Sequence, residues 1–138
     1  MEFMLDARLA ESSHLTATIE GVQVRLADDA RYVWLLLVPE QNDISELHDL
    51  ADADRRALLD LANELGVWMK TRFGADKINT AAIGNVVAQL HLHVVARHAG
   101  DAAWPAPIWG LGEPQPRTSD SRAAMMADIT KFLETRSV

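Results

Sequence analysis

Two histidines stand two residues apart in the run Gln89-Leu90-His91-Leu92-His93-Val94-Val95-Ala96-Arg97. On a β-strand alternate side chains share a face, so Gln89, His91, His93 and Arg97 project one way and Leu90, Leu92, Val94 and Ala96 project into a core. A rise of ~3.3 Å per residue sets the two imidazoles roughly 6.6 Å apart. A row of imidazole and amide groups backed by a rigid apolar face suits a phosphate, and Arg97 at its end either meets that phosphate or is solvated. The same pair also suits a metal ion, because neutral imidazole is the commonest metal ligand. Catalytic zinc ordinarily takes three protein ligands. The third would come from His14, His48, His98 or a carboxylate, and residues 94–98 hold no acid. A solvated strand face is the plain alternative, and residue type and spacing leave all three open.

The elements that must position this run follow from periodicity. Residues 3–11 read as a short amphipathic helix. Residues 14–19 alternate and carry β-branched side chains, Gly21 offers a turn, and Val22, Val24 and Leu26 continue the alternation on a second strand. Asp28-Asp29 signals a turn. The apolar run from Arg31 to Val38 reads as a buried strand ended by Pro39. Asp52 is the expected N-cap of a long helix whose stripe is Leu58, Leu61, Ala62, Leu65, Trp68 and Met69, with Gly74 at its stop. A strand over 77–83, a turn at Gly84-Asn85 and the strand over 89–97 follow. Residues 98–116 are irregular and rich in proline and tryptophan. Ser119 or Asp120 is expected to cap a last helix with the stripe Met125 or Met126, Ile129, Phe132 and Leu133. Short connections between consecutive strands favour hairpins. The expected fold is α+β, an antiparallel sheet of about five strands with two main helices on one face.

Composition narrows the partners. A length of 138 residues suits one domain spanning 1–138, able to bury roughly two-thirds of its unfolded surface. No cysteine is present, which removes thiolate chemistry and suits a cytoplasmic setting. The first residues mix charge with apolar side chains and read as no secretory leader. No apolar run approaches the ~20 residues of a membrane helix. A formal charge of −7 argues against general nucleic-acid binding, which rests on many Lys and Arg against phosphates. A few phosphates of a small molecule need only a local site.

The segment Gln89-Leu90-His91-Leu92-His93-Val94-Val95 resembles the His-φ-His-φ-His-φ-φ signature (φ apolar) of the histidine triad, or HIT, superfamily, with Gln89 where the first His is expected. Asn79 and Gly84-Asn85 resemble positions that precede that signature. The run Leu35-Leu36-Leu37-Val38-Pro39 followed by a helix is similar to another family segment. Trp104-Pro105 to Trp109-Gly110 is similar to the tail of a bacterial branch with the same Gln-for-His triad. The likeness spans residues 28–112.

That resemblance implies a chemistry. His91 would attack the α-phosphorus of a nucleoside phosphate ester, anhydride or amidate, and water would release the covalent nucleotidyl-histidine. Imidazole suits this because its ordinary pKa of ~6.5 leaves it nucleophilic at pH 7. In the family a backbone carbonyl fixes the required tautomer. His93 would sit beside the phosphate or support the nucleophile. Asn79 and Asn85 match binding positions, although turn chemistry explains them too. Asp28 matches an acid that holds ribose hydroxyls, although it also suits the turn. The resemblance further implies no metal or other cofactor, a small-molecule nucleotide as partner, dinucleoside polyphosphates such as diadenosine polyphosphates or nucleoside phosphoramidates as substrates, and a homodimer. Gln89 departs from the pattern. An amide carries hydrogen bonds but shuttles no proton, so poor leaving groups should depart slowly. The same departure favours an alternative, a nucleotide-binding protein without catalysis.

Overall fold

The first hairpin is set by two residues. Between β1 (Ser13–Ile19) and β2 (Val22–Ala27), Glu20 and Gly21 have φ of 48° and 79°. Two successive positive φ values make the tight turn whose twist matches paired strands. The computed structural model describes residues 1–136, and β3 (Val33–Pro39), β4 (Lys77–Ala82) and β5 (Leu92–Arg97) complete its sheet. The strand order is β1-β2-β3-β5-β4, and every pairing is antiparallel. Together with α1 (Ala7–Ser12), α2 (Asp52–Arg72) and α3 (Ser119–Arg136), the sheet makes the expected α+β fold.

The two faces of the sheet are covered differently. Val24, Leu26, Leu35, Leu37, Leu92, Val94 and Ala96 face Leu58, Leu61, Leu65 and Met69 of α2 and Ile129 and Leu133 of α3, all essentially buried. Trp68 stacks on Phe132 with ring centroids 4.9 Å apart. Helix α2 stops as expected: Gly74 takes φ 62° and the Ala75 amide donates to the Lys70 carbonyl at 3.0 Å, a Schellman closure. Among the described residues the opposite face has no long helix. Leu36 and Val38 pack with Leu9, Phe3 and Leu5 of the amino-terminal segment. Val95 and Tyr32 pack with Ala103 and Ile108 of the loop before α3.

Local boundaries differ from expectation in several places; β3, for one, begins at Val33 because Arg31 lies in the turn before it. The helix expected over residues 3–11 is confined to Ala7–Ser12, because Phe3 and Leu5 reach the sheet and residues 1–6 form a strap without regular structure. The N-cap of α2 is Ala51, with no side-chain cap; Asp52 stands in the first turn, where it pairs with Arg55 at 3.2 Å and complements the helix dipole. Thr118 caps α3, its Oγ1 accepting from the Ser121 amide at 3.1 Å, one residue before the expected cap. Strand β5 begins at Leu92, so Gln89 and His91 lie in the segment that enters it. No helix among the described residues is long and apolar enough to cross a membrane.

Candidate active site

His91 and His93 come together where β5 begins. Their ring centroids are 4.9 Å apart at 70°, closer than the ~6.6 Å that strand rise sets between their backbones. Leu90 is drawn into the helix-side core, and its amide donates to the Ile44 carbonyl at 2.9 Å. That anchor leaves the neighbouring His91 ring on the opposite side. His91 Nδ1 lies 2.7 Å from the Gln89 carbonyl oxygen. A carbonyl only accepts, so Nδ1 carries the proton and Nε2 keeps a free lone pair.

His93 is held through Nδ1. The indole N–H of Trp34 donates to its Nδ1 at 3.0 Å, and that of Trp109 reaches the same atom at 3.4 Å. Indole donates and never accepts, so Nδ1 is unprotonated and Nε2 carries the hydrogen. The ring is buried, at 5% exposure. Burial first, and the neighbouring His91 second, push its pKa down to about 4, against a hydrogen bond to the Ile83 backbone. His93 is therefore a neutral ring wedged between two indoles.

Both histidines line a cavity of about 920 Å³ on the loop-covered face. Its walls include Leu9, Ala27, Trp34, Leu36 and Val87, an apolar lining of the kind that takes a flat ring. Asn85 and Asp28 also line it. Asp28 accepts from the Arg117 amide at 3.0 Å. A smaller cavity of about 350 Å³ adjoins it through Ile83, Gly84, Asn85 and His91. The loop between β4 and β5 is drawn tight here. A Cβ on Gly84 would lie 2.9 Å from the Val87 carbonyl oxygen, so only glycine permits this approach.

The structure does not bring Asn79 and Arg97 to these cavities. Arg97 shares the face of His93 but stands four residues along, ~13 Å away at strand rise. Its guanidinium is 2% exposed and spent on Asp101 at 2.8 and 3.0 Å, the Asn79 amide oxygen at 2.9 Å and the Ala106 carbonyl at 2.8 Å. That ion pair holds Asp101 at a pKa of about 2 and ties the loop to the sheet. Gln89 also turns away from a proton-relay position. Its amide oxygen accepts from the Asp6 backbone at 2.8 Å, and its amide nitrogen donates to the Met4 carbonyl at 2.9 Å.

Three contributors were not legible in advance. Trp34 read as one more apolar strand residue, yet its indole nitrogen sets the tautomer of His93. Trp109 stands in a loop rich in proline and tryptophan, where the resemblance attaches no role to its indole nitrogen. Arg8 carried no signal at all; it borders the cavity from α1. Among the described residues no three His, Asp or Glu groups converge as a metal would require. His93 has no lone pair to give, since one nitrogen accepts from indole and the other holds a proton.

Fold and site together define an α+β protein with a paired-histidine cavity on the sheet face away from its helices. The HIT domain family model matches residues 8–100. A histidine triad protein from Marinobacter aquaeolei is 38% identical, with 98% of each chain covered and a TM-score of 0.94. One from Sinorhizobium meliloti is 39% identical over 94% of this chain and 96% of that one, with a TM-score of 0.91. One from Bradyrhizobium japonicum is 33% identical over 96% of this chain and 98% of that one, with a TM-score of 0.92. No curated protein matches. The chain belongs to the histidine triad family.

Proposed function

We propose that this protein is a nucleotidyl hydrolase or transferase that works through a covalent nucleotidyl-histidine. The observation that carries this reading is the 2.7 Å contact between His91 Nδ1 and the Gln89 carbonyl, which leaves Nε2 unprotonated on a residue that lines the larger cavity. The base of a nucleotide fits the slot between Leu9, Ala27, Trp34 and Leu36, and the ribose hydroxyls meet Asp28. His91 Nε2 attacks the α-phosphorus, forming a P–N bond as the bond to the leaving group breaks. Water then attacks the same phosphorus, the P–N bond breaks, and Nε2 recovers its lone pair. Asn85, whose side chain has no partner among the described residues, is free to hold a phosphoryl oxygen as charge develops. The occupied nitrogens of His93 favour support of the nucleophile over contact with phosphate: a neutral ring beside His91 adds no charge that would draw the lone pair away. Asn79 and Arg97 hold the loop that carries Trp109. No cofactor is required. The partner is a small nucleotide, the setting is the cytoplasm, and the working form is a homodimer. The open edge of β4 and the exposed Val67 of α2 suit a second copy.

The competing reading, a nucleotide binder without chemistry, draws on Gln89. Intact-protein mass spectrometry after incubation with a diadenosine polyphosphate separates the two. A nucleotidyl adduct lost in His91→Ala supports the enzyme. Binding with no adduct and no phosphate release, unchanged in His91→Ala, supports the binder. Scattering from a clean monomer at micromolar concentration would contradict the dimer.

A further inference from the structure

We propose that the site selects nucleoside phosphates joined through a phosphoric anhydride over those joined through nitrogen, and that Arg8 of α1, oriented by the amino-terminal strap, receives the departing phosphate. This rests on the nucleotidyl-transfer reading above and adds a leaving-group preference to it.

The first half follows from what flanks the nucleophile. Gln89 spends its amide on the strap, accepting from Asp6 and donating to Met4, so it has no proton to pass on. His93 is a neutral ring whose one nitrogen is capped by indole, and giving up its single ring proton would leave an imidazolate, so it is no general acid. An amine leaves phosphorus only after taking a proton, since the electron pair of the P–N bond would otherwise create an amide anion. A nucleoside phosphate leaves from a P–O–P bridge by keeping the electron pair on oxygen, and its second pKa of ~6 makes that anion stable at neutral pH. A nucleophile without a proton donor beside it therefore cuts anhydrides and stalls on amidates.

The second half follows from the strap. Gln89 pins Met4 and Asp6, and Asn42 pins the Met4 amide at 3.0 Å and the Glu2 carbonyl at 2.9 Å. Asp6 then orients Arg8 through its Nε at 3.1 Å and Nη2 at 3.0 Å, and Arg8 Nη1 crosses to the Val86 carbonyl at 3.0 Å. Three of the five guanidinium N–H groups are thereby used and two remain. Arg8 is the only Lys or Arg among the described residues lining the larger cavity, which His91 also lines. The glutamine in place of histidine thus exchanges a proton relay for a clamp that holds a cation at the cavity rim.

The test compares initial rates of the full chain on a diadenosine polyphosphate and on an adenosine 5′-phosphoramidate with an alkylamine leaving group, for wild type, Arg8→Gln, Arg8→Lys and His91→Ala. Wild type should favour the anhydride by about a hundredfold or more, the size of a missing general acid. Arg8→Gln should lower that preference about tenfold, the worth of a partly exposed charge-assisted contact, and Arg8→Lys should restore part of it. Equal or faster amidate cleavage, or a preference unmoved in Arg8→Gln, overturns the inference while His91-dependent turnover keeps the transfer chemistry. Absence of any His91-dependent turnover on either compound overturns both.

Discussion

The two faces of the sheet are built by different means. The helix-covered face is a periodic apolar core: alternate residues of β2, β3 and β5 meet the stripes of α2 and α3, and its buried members are aliphatic side chains and Met69. Among the described residues the opposite face carries no long helix. There a strap, a tight loop and a tryptophan-bearing loop are held by specific hydrogen bonds from Gln89, Arg97 and Asp6. One face supplies rigidity by burial, which is non-directional. The other supplies geometry through directional bonds, and it holds the candidate chemistry. Catalytic groups fit the second kind of surface because buried polar groups there are oriented by partners rather than by shape alone.

That contrast can be broken from either side. The largest effect is expected from His91→Ala, which should lower turnover of a diadenosine polyphosphate by about a thousandfold or more. The urea unfolding free energy of the same variant should change by less than about 1.5 kcal/mol. Leu65→Ala, on the helix side, should reverse the pattern. It should cost about 2–5 kcal/mol in urea unfolding and leave the His91-dependent adduct intact in the folded fraction.

Acid should sharpen the contrast. His93 titrates at about 4 when folded, against ~6.5 when unfolded, so the unfolded chain binds the extra proton between those values. Stability should therefore fall as pH drops from about 6.5 to about 4, by up to about 3 kcal/mol, and His93→Gln should remove most of that slope in denaturant titrations. Asp101 acts lower. Its folded pKa of about 2 means that its contribution is present above ~3.8 and lost as pH falls toward 2; Asp101→Asn should cost about 2 kcal/mol at neutral pH and flatten that final limb. The smallest effect is expected from Trp34→Phe, which removes the shorter of the two donors to His93 Nδ1. It should cost about 1 kcal/mol and raise the His93 pKa, read by NMR titration of the ring.

Much of the helix-covered face was legible residue by residue. The stripe from Leu58 to Met69, the alternation over Leu92, Val94 and Ala96, the turn at Gly21 and the stop at Gly74 all stand as expected, because each depends on neighbours within a few positions. The second face was legible only in part. His91 and His93 share a cavity wall, but Arg97 and Asn79 satisfy each other elsewhere, since a face shared in sequence says nothing of what a loop will bring to it. The strand was expected to begin at Gln89, yet the strap takes that side chain, and no local pattern announces a bond between residues 83 positions apart.

What the amino-acid order alone determined is the sheet, its helix-side core and the presence of two imidazoles at strand spacing. These follow from periods of 2 and 3.6 residues, which act over short range. Only the tertiary structure decided which nitrogen of each imidazole holds its proton, that Gln89 clamps a strap, and that Arg8 reaches the cavity. Those outcomes hang on hydrogen bonds between distant segments, and a hydrogen bond acquires direction only when folding has placed both partners within about 3 Å.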